Sequence, residues 1–224
     1  MLVHQALIRE YGHREWRRHR DPLSELIFTI LSQNTSDVNR DRACRQLIER
    51  FPTWEAVRDA DVEEIAAAIR PGGLANIKAP RIKSILQTIT ERGGGLSLDF
   101  LADMGVEEAK EWLGSLKGVG PKTVACVLLF SFGKPVLPVD THVYRVSKRL
   151  GLIPPKVSAA RAHSLLEEML PDEAIYDFHL NMIAHGRQVC RAQKPRCDAC
   201  VLAEYCDYVN TREYGRMVNE WPLA

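Results

Sequence analysis

Lys122 and Asp140 are an amine and a carboxylate in settings that suit attack on an electrophilic carbon. Lys122 follows the turn Gly118-Val119-Gly120-Pro121 and opens a strongly apolar stretch that runs to Phe130. The first turn of a helix already carries the positive end of its dipole, so a lysine there is poorly placed for stability. The same dipole, with partial burial, is expected to depress the lysine's pKa and keep more of it as free amine, which is the form that attacks. The turn reads apolar-x-Gly-apolar-Gly-x-x-Thr from Leu116 to Thr123. Gly118 and Gly120 let backbone amides approach a ligand closely, and a helix start offers unpaired N–H groups to an anion. No acid stands between 112 and 139, where Lys117, Lys122 and Lys134 lie, which tilts the turn towards a phosphate. An ordinary connection between two helices accounts for the spacing alone equally well.

Asp140 precedes a helical pattern and is a natural N-cap. Chain geometry adds to that reading. A helix from about Lys122 to Gly133 is roughly 18 Å long at ~1.5 Å per residue. The return through Lys134 to Val139 holds two prolines and spans up to ~20 Å at ~3.3 Å per residue. Asp140 is therefore expected back at the end of the helix that bears Lys122. A carboxylate there can stabilise positive charge developing on a sugar while the amine attacks the anomeric carbon.

Cys190, Cys197, Cys200 and Cys206 follow the spacing C-x6-C-x2-C-x5-C. Four thiolates so close together can bind zinc or a 4Fe–4S cluster. A structural zinc site usually has two close pairs, and here only Cys197 and Cys200 form one, so the spacing favours iron–sulfur. Arg191, Lys194 and Arg196 lie between the first two ligands with no acid among them. Such a run is usually a solvated face, but held rigid by a cluster it becomes a plausible phosphate contact. Cys44 and Cys126 stand inside helical patterns and read as small buried hydrophobes.

The elements that must position these groups are helices. Leu23, Leu26, Ile27, Ile30 and Leu31 follow a helical apolar period after an Asp21-Pro22 start. Ile82, Ile85, Leu86 and Ile89 repeat it, as do Leu165, Leu166, Met169 and Leu170, and helices are also expected near 55–69, 106–116, 142–150 and 175–186. Glycine and proline clusters at 71–73, 92–95, 118–121, 132–135 and 152–155 separate them. No strand pattern competes, so the fold class is all-α. Trp16, Trp54 and Trp112 are expected in packing, and His142 and His185 as hydrogen-bonded rather than catalytic. The 224 residues carry a net charge of +1, so binding to a polyanion must come from local patches. No apolar run is long enough for a membrane span. The first twenty residues resemble neither a signal nor a transit peptide, so a cytoplasmic location is expected.

With these residues assembled, the sequence resembles the endonuclease III family of helix–hairpin–helix DNA glycosylases. The likeness rests on LSQNTSD (31–37), GGLANIKAPRI (72–82), LKGVGPKTVACV (116–127), VDTH (139–142), HGR (185–187) and the cysteine loop. The resemblance implies a two-lobed fold, with a six-helix domain over 22–134 and a cluster domain from 1–21 and 135–224. DNA would lie over the cleft between them. It implies a 4Fe–4S cluster on Cys190, Cys197, Cys200 and Cys206. Lys122 matches the Schiff-base nucleophile and Asp140 the essential carboxylate. Leu74 matches the wedge on the undamaged strand, and Asn34, with Gln33 beside it, the side chain that fills the gap left by a flipped nucleotide. The activity implied is excision of damaged, oxidised pyrimidines from duplex DNA with β-elimination at the abasic site, in base excision repair, by a monomeric prokaryotic enzyme of the nucleoid. Asn34 departs from the family's usual glutamine, Lys117 stands where proline is usual and Pro121 where arginine is common, so lesion range and opposite-base preference do not carry over. A mismatch or alkylated-base glycosylase of the same fold is the near rival, and a non-catalytic DNA-binding module the distant one. Retention of both Lys122 and Asp140 weighs against the module, because docking needs neither.

Overall fold

The computed structural model describes residues 2–93 and 95–211. Among them the chain forms helices and short 3-10 turns, without strands. It divides into two compact units, one spanning Arg17–Val136 and the other built from the chain on either side of it.

The central unit holds α2 (Pro22–Leu31), α3 (Asp37–Arg50), α4 (Trp54–Asp59), α5 (Val62–Ile69), α6 (Ala75–Gly93), α7 (Val106–Gly114) and α8 (Pro121–Phe132). Asp21 caps α2 by accepting from the Ser24 amide at 2.8 Å, and Pro22 occupies the first turn, where a missing N–H costs nothing. The apolar period of α2 buries Leu23, Leu26, Ile27, Ile30 and Leu31, and its principal packing partner is α8. Nine consecutive residues of α8, Thr123 to Ser131, are buried, as expected for a helix that is apolar all round. It ends at Gly133, whose φ of 68° is the left-handed conformation of a helix stop. α6 packs on α5 and carries Ile82, Ile85, Leu86 and Ile89 into the same core.

The other unit contains α1 (Leu2–Tyr11), α9 (Thr141–Leu150), α10 (Ala159–Glu167) and α11 (Ile175–Gln188). α11 is its centre, with α1 and α9 packed against it.

Several expectations need correction. The helix expected near 55–69 is two helices, because the backbone of Ala60 and Asp61 is extended between them. α10 buries Ala162, His163 and Leu166, and Met169 lies beyond its end, 52% exposed. Trp54 and Trp112 pack on the core, but Trp16 is 41% exposed. Cys126 is buried while Cys44 is half-buried at the core's edge. No described helix is long and apolar enough to cross a membrane.

Candidate active site and cluster loop

Lys122 is the second residue of α8, half-buried, directly after the proline that opens the helix. The turn before it places Gly118 at φ 85°, a conformation that glycine adopts without penalty. A Cβ at Gly118 would also collide with the side chain of Arg81, which lies across the turn. Gly120 differs. Its φ is −96° and a Cβ there would meet nothing within 4 Å. Nothing inside the protein demands glycine at 120, so its bare backbone faces open space that a ligand can approach. The Val124 amide bonds to Gly120 O at 3.0 Å, and the first amides of α8 point outward as in any helix start.

Lys117 lies exposed on this turn, but Lys134 does not belong to the basic group expected there. Its ammonium donates to the carbonyls of Ala102 at 3.1 Å and Met104 at 2.6 Å. It holds a loop before α7, and the expectation that it favours a phosphate fails for that reason.

Gln33 and Asn34 lie in the turn after α2 and point to different tasks. Gln33 accepts from Arg81 Nη1 at 3.2 Å and donates to Thr123 Oγ1 at 3.4 Å, one residue from Lys122. Asn34 is exposed, with a left-handed φ of 53°, which asparagine tolerates better than most side chains. Leu74 shares that φ of 53° and is 47% exposed at the start of α6. A leucine held exposed on left-handed backbone is costly. A residue to which no sequence motif assigns a role bonds beside both loops. Lys78 is 1% exposed and donates to Leu31 O at 2.8 Å and Gly72 O at 2.9 Å. Its signal was the α6 period: Lys78 continues the buried stripe of Ile82, Ile85 and Ile89 backwards by one turn.

In the other unit Asp140 is the N-cap of α9. Its Oδ1 accepts from the amides of His142 at 2.9 Å and Val143 at 2.8 Å. The cap uses one oxygen and leaves Oδ2 available, so a helix cap and a chemical role are compatible. His142 Nδ1 lies 3.1 Å from Arg145 Nη2, and Arg145 also donates to Gly186 O and Cys190 O. His185 Nδ1 is 3.0 Å from the Tyr11 hydroxyl. Burial pushes His185 down to about 4 and Tyr11 up to about 12. Both histidines are thus hydrogen-bonded.

The four clustered cysteines are unpaired thiols on one loop. Short turns bring them together, with the Cys200 amide on Cys197 O at 3.1 Å and the Cys206 amide on Ala203 O at 3.1 Å. Arg149 Nη1 donates to Cys190 Sγ at 3.3 Å, and Cys206 Sγ donates to Arg149 O at 3.3 Å. His185 Nε2 is 3.5 Å from Cys200 Sγ. Burial raises the Cys200 and Cys206 thiols, and the charges of neighbouring cysteines raise them further. Among the described residues no three His, Cys, Asp or Glu side chains could hold one metal ion. A single zinc requires that convergence, whereas a 4Fe–4S cluster takes each thiolate on its own iron and tolerates wider spacing. Four thiols on one short loop, each able to take its own iron, are the donor set that such a cluster requires. Lys194 and Arg196 are exposed between Cys190 and Cys197, with Lys194 at φ 48°.

Residues 27–172 match the HhH-GPD superfamily of base excision DNA repair proteins, and residues 190–206 match the iron–sulfur binding domain of endonuclease III. Fold and loop thus define a helix–hairpin–helix DNA repair enzyme with a cluster loop. The chain is 35% identical over 217 residues to endonuclease III of Thermotoga maritima, covering 96% of this chain and 97% of the relative. It superposes with a TM-score of 0.81 and 30% identity on a covalent endonuclease III–DNA intermediate trapped with an estranged adenine, covering 95% of this chain and 96% of that one. A thermostable thymine-DNA glycosylase shares the fold at 24% identity and a TM-score of 0.78, over 94% and 96% of the two chains. The chain belongs to the endonuclease III family: it is a DNA glycosylase of base excision repair, with a 4Fe–4S cluster.

Proposed function

We propose that the enzyme excises oxidised pyrimidines from duplex DNA and cleaves the resulting abasic site. The observation that carries this reading is Lys122 at the opening of α8, beside the open backbone of Gly120. The damaged base is shielded inside a duplex, so its nucleotide must first be extruded. Leu74 acts as the apolar wedge that lowers the cost of opening the stack, and Asn34 takes the vacated place. Gln33 is engaged with Arg81 and Thr123, which leaves that task to Asn34. The amides of the hairpin, with Lys194 and Arg196, bind phosphates.

In the reaction, the Lys122 amine bonds to C1′ as the glycosidic bond breaks, and the base leaves with that electron pair and takes up a proton. The ring-opened sugar becomes an imine on Lys122. Loss of a C2′ proton then expels the 3′ phosphate by β-elimination, and water hydrolyses the imine. The Asp140 carboxylate stabilises the oxocarbenium-like charge. The cluster, when bound, supplies iron–thiolate bonds that hold the loop of Lys194 and Arg196 in shape.

Borohydride reduces such an imine to a permanent link, so the wild type should become covalently bound to a lesion duplex in its presence. Base release without any trapped product would instead favour a monofunctional glycosylase. A panel of duplexes with defined oxidised, mismatched and alkylated bases assigns the lesion.

A further inference from the structure

We propose that Lys78 is a positioning residue, whose ammonium ties the loop of Gln33 and Asn34 to the turn of Leu74 so that both meet DNA in one fixed relation. This rests on the reading that Asn34 and Leu74 enter an opened duplex.

Lys78 is among the largest fully buried side chains, and no carboxylate is bonded to it among the described residues. Burying an ammonium costs free energy that an apolar side chain of the same length avoids, so packing alone does not account for a lysine here. Its bonds do. One goes to Leu31 O, the last residue of α2, where the negative end of the helix dipole favours a cation. Asn34 follows three residues later. The other goes to Gly72 O, two residues before Leu74. A single buried ammonium thus spans the two loops.

The backbone at those loops needs such support. Leu74 sits at a φ of 53°, a conformation that persists in a leucine when the surroundings hold it, and Asn34 shares that φ at lower cost. The same helix supplies a second tie one turn on, where Arg81 bonds to Gln33 and lies across Gly118. α6 therefore presents the wedge, the gap-filling loop and the hairpin from one rigid element. Preorganised groups lose less freedom when they bind, so the gain falls on the opening of the duplex rather than on bond cleavage.

The test separates opening from chemistry. Lys78→Met, Lys78→Gln and Lys78→Arg are compared on a duplex with thymine glycol, an oxidised pyrimidine, on the single strand with the same lesion, and on a duplex with 2-aminopurine beside the lesion to report unstacking. Lys78→Met should lose about tenfold to a hundredfold in base release from the duplex, the scale of loss that a small misplacement caused far from the chemistry produces. It should lose much less on the single strand, show a reduced 2-aminopurine response, and be rescued in part by Lys78→Arg. Equal losses on duplex and single strand, or an unchanged 2-aminopurine response, would overturn the proposal. So would failure of both Lys78→Met and Lys78→Gln to fold, which would assign the lysine to stability. Leu74→Ala and Asn34→Ala are measured alongside. If they leave the 2-aminopurine response intact, the assignment of those two residues fails. If they abolish it while Lys78→Met does not, Lys78 alone is misassigned.

Discussion

Lys122 and Asp140 are held by backbone features that survive conservative substitution, which makes their chemistry separable from folding. Lys122 is half-buried at the second position of α8. Lys122→Gln should fold and bind a lesion duplex normally, yet neither trap with borohydride nor nick abasic DNA. A fully active variant would exclude the covalent mechanism. Asp140 Oδ1 makes both cap bonds, and an asparagine carbonyl accepts them equally well. Asp140→Asn should therefore keep its melting temperature while base release falls on the order of a hundredfold or more, as for other lost electrostatic stabilisers. Single-turnover kinetics beside thermal unfolding checks both halves of that expectation.

At the scale of the element, the hairpin and the cluster loop give opposite expectations. Gly118 is at φ 85° and its missing Cβ is where Arg81 lies. Gly118→Ala should destabilise the protein by about 1–2 kcal/mol from the backbone alone, with a further loss as Arg81 is displaced from Gln33. Gly120→Ala meets no such obstacle in the free protein. It should melt like the wild type but bind DNA more weakly, because the methyl group intrudes where a phosphate approaches. Equal affinities would remove Gly120 from the interface. Lys194 and Arg196 are exposed. Replacing both with alanine should leave the cluster intact and reduce the dependence of binding on salt by about two counterions, one per lost cation. An unchanged slope would make the loop a solvated face.

At the scale of the whole molecule, the cluster is expected to be a condition of stability. Burial and neighbouring charge raise the Cys200 and Cys206 thiols, so without iron the loop must keep crowded thiols protonated. The purified protein should contain about four irons per chain, and Cys200→Ser should lose them and lower the melting temperature, while Cys44→Ser should do neither. Stoichiometric zinc after anaerobic purification would contradict the cluster. What the sequence by itself determined are the features set within a turn or two of chain. These are the cap at Asp21, the cap at Asp140, the glycine turn before Lys122, the helical periods and the cysteine spacing. Each depends on bonds between near neighbours, which a short motif specifies. Only the tertiary structure decided what the long polar side chains do. Lys134 was placed with a phosphate by its neighbours in sequence, but its ammonium reaches carbonyls some thirty residues back. Lys78 bonds across 47 residues, Arg81 to Gln33 across 48, and Gln33 to Thr123 across 90. A flexible cation can satisfy any carbonyl within reach, and which carbonyls come within reach is fixed by how the helices pack, not by the residues beside it in the chain.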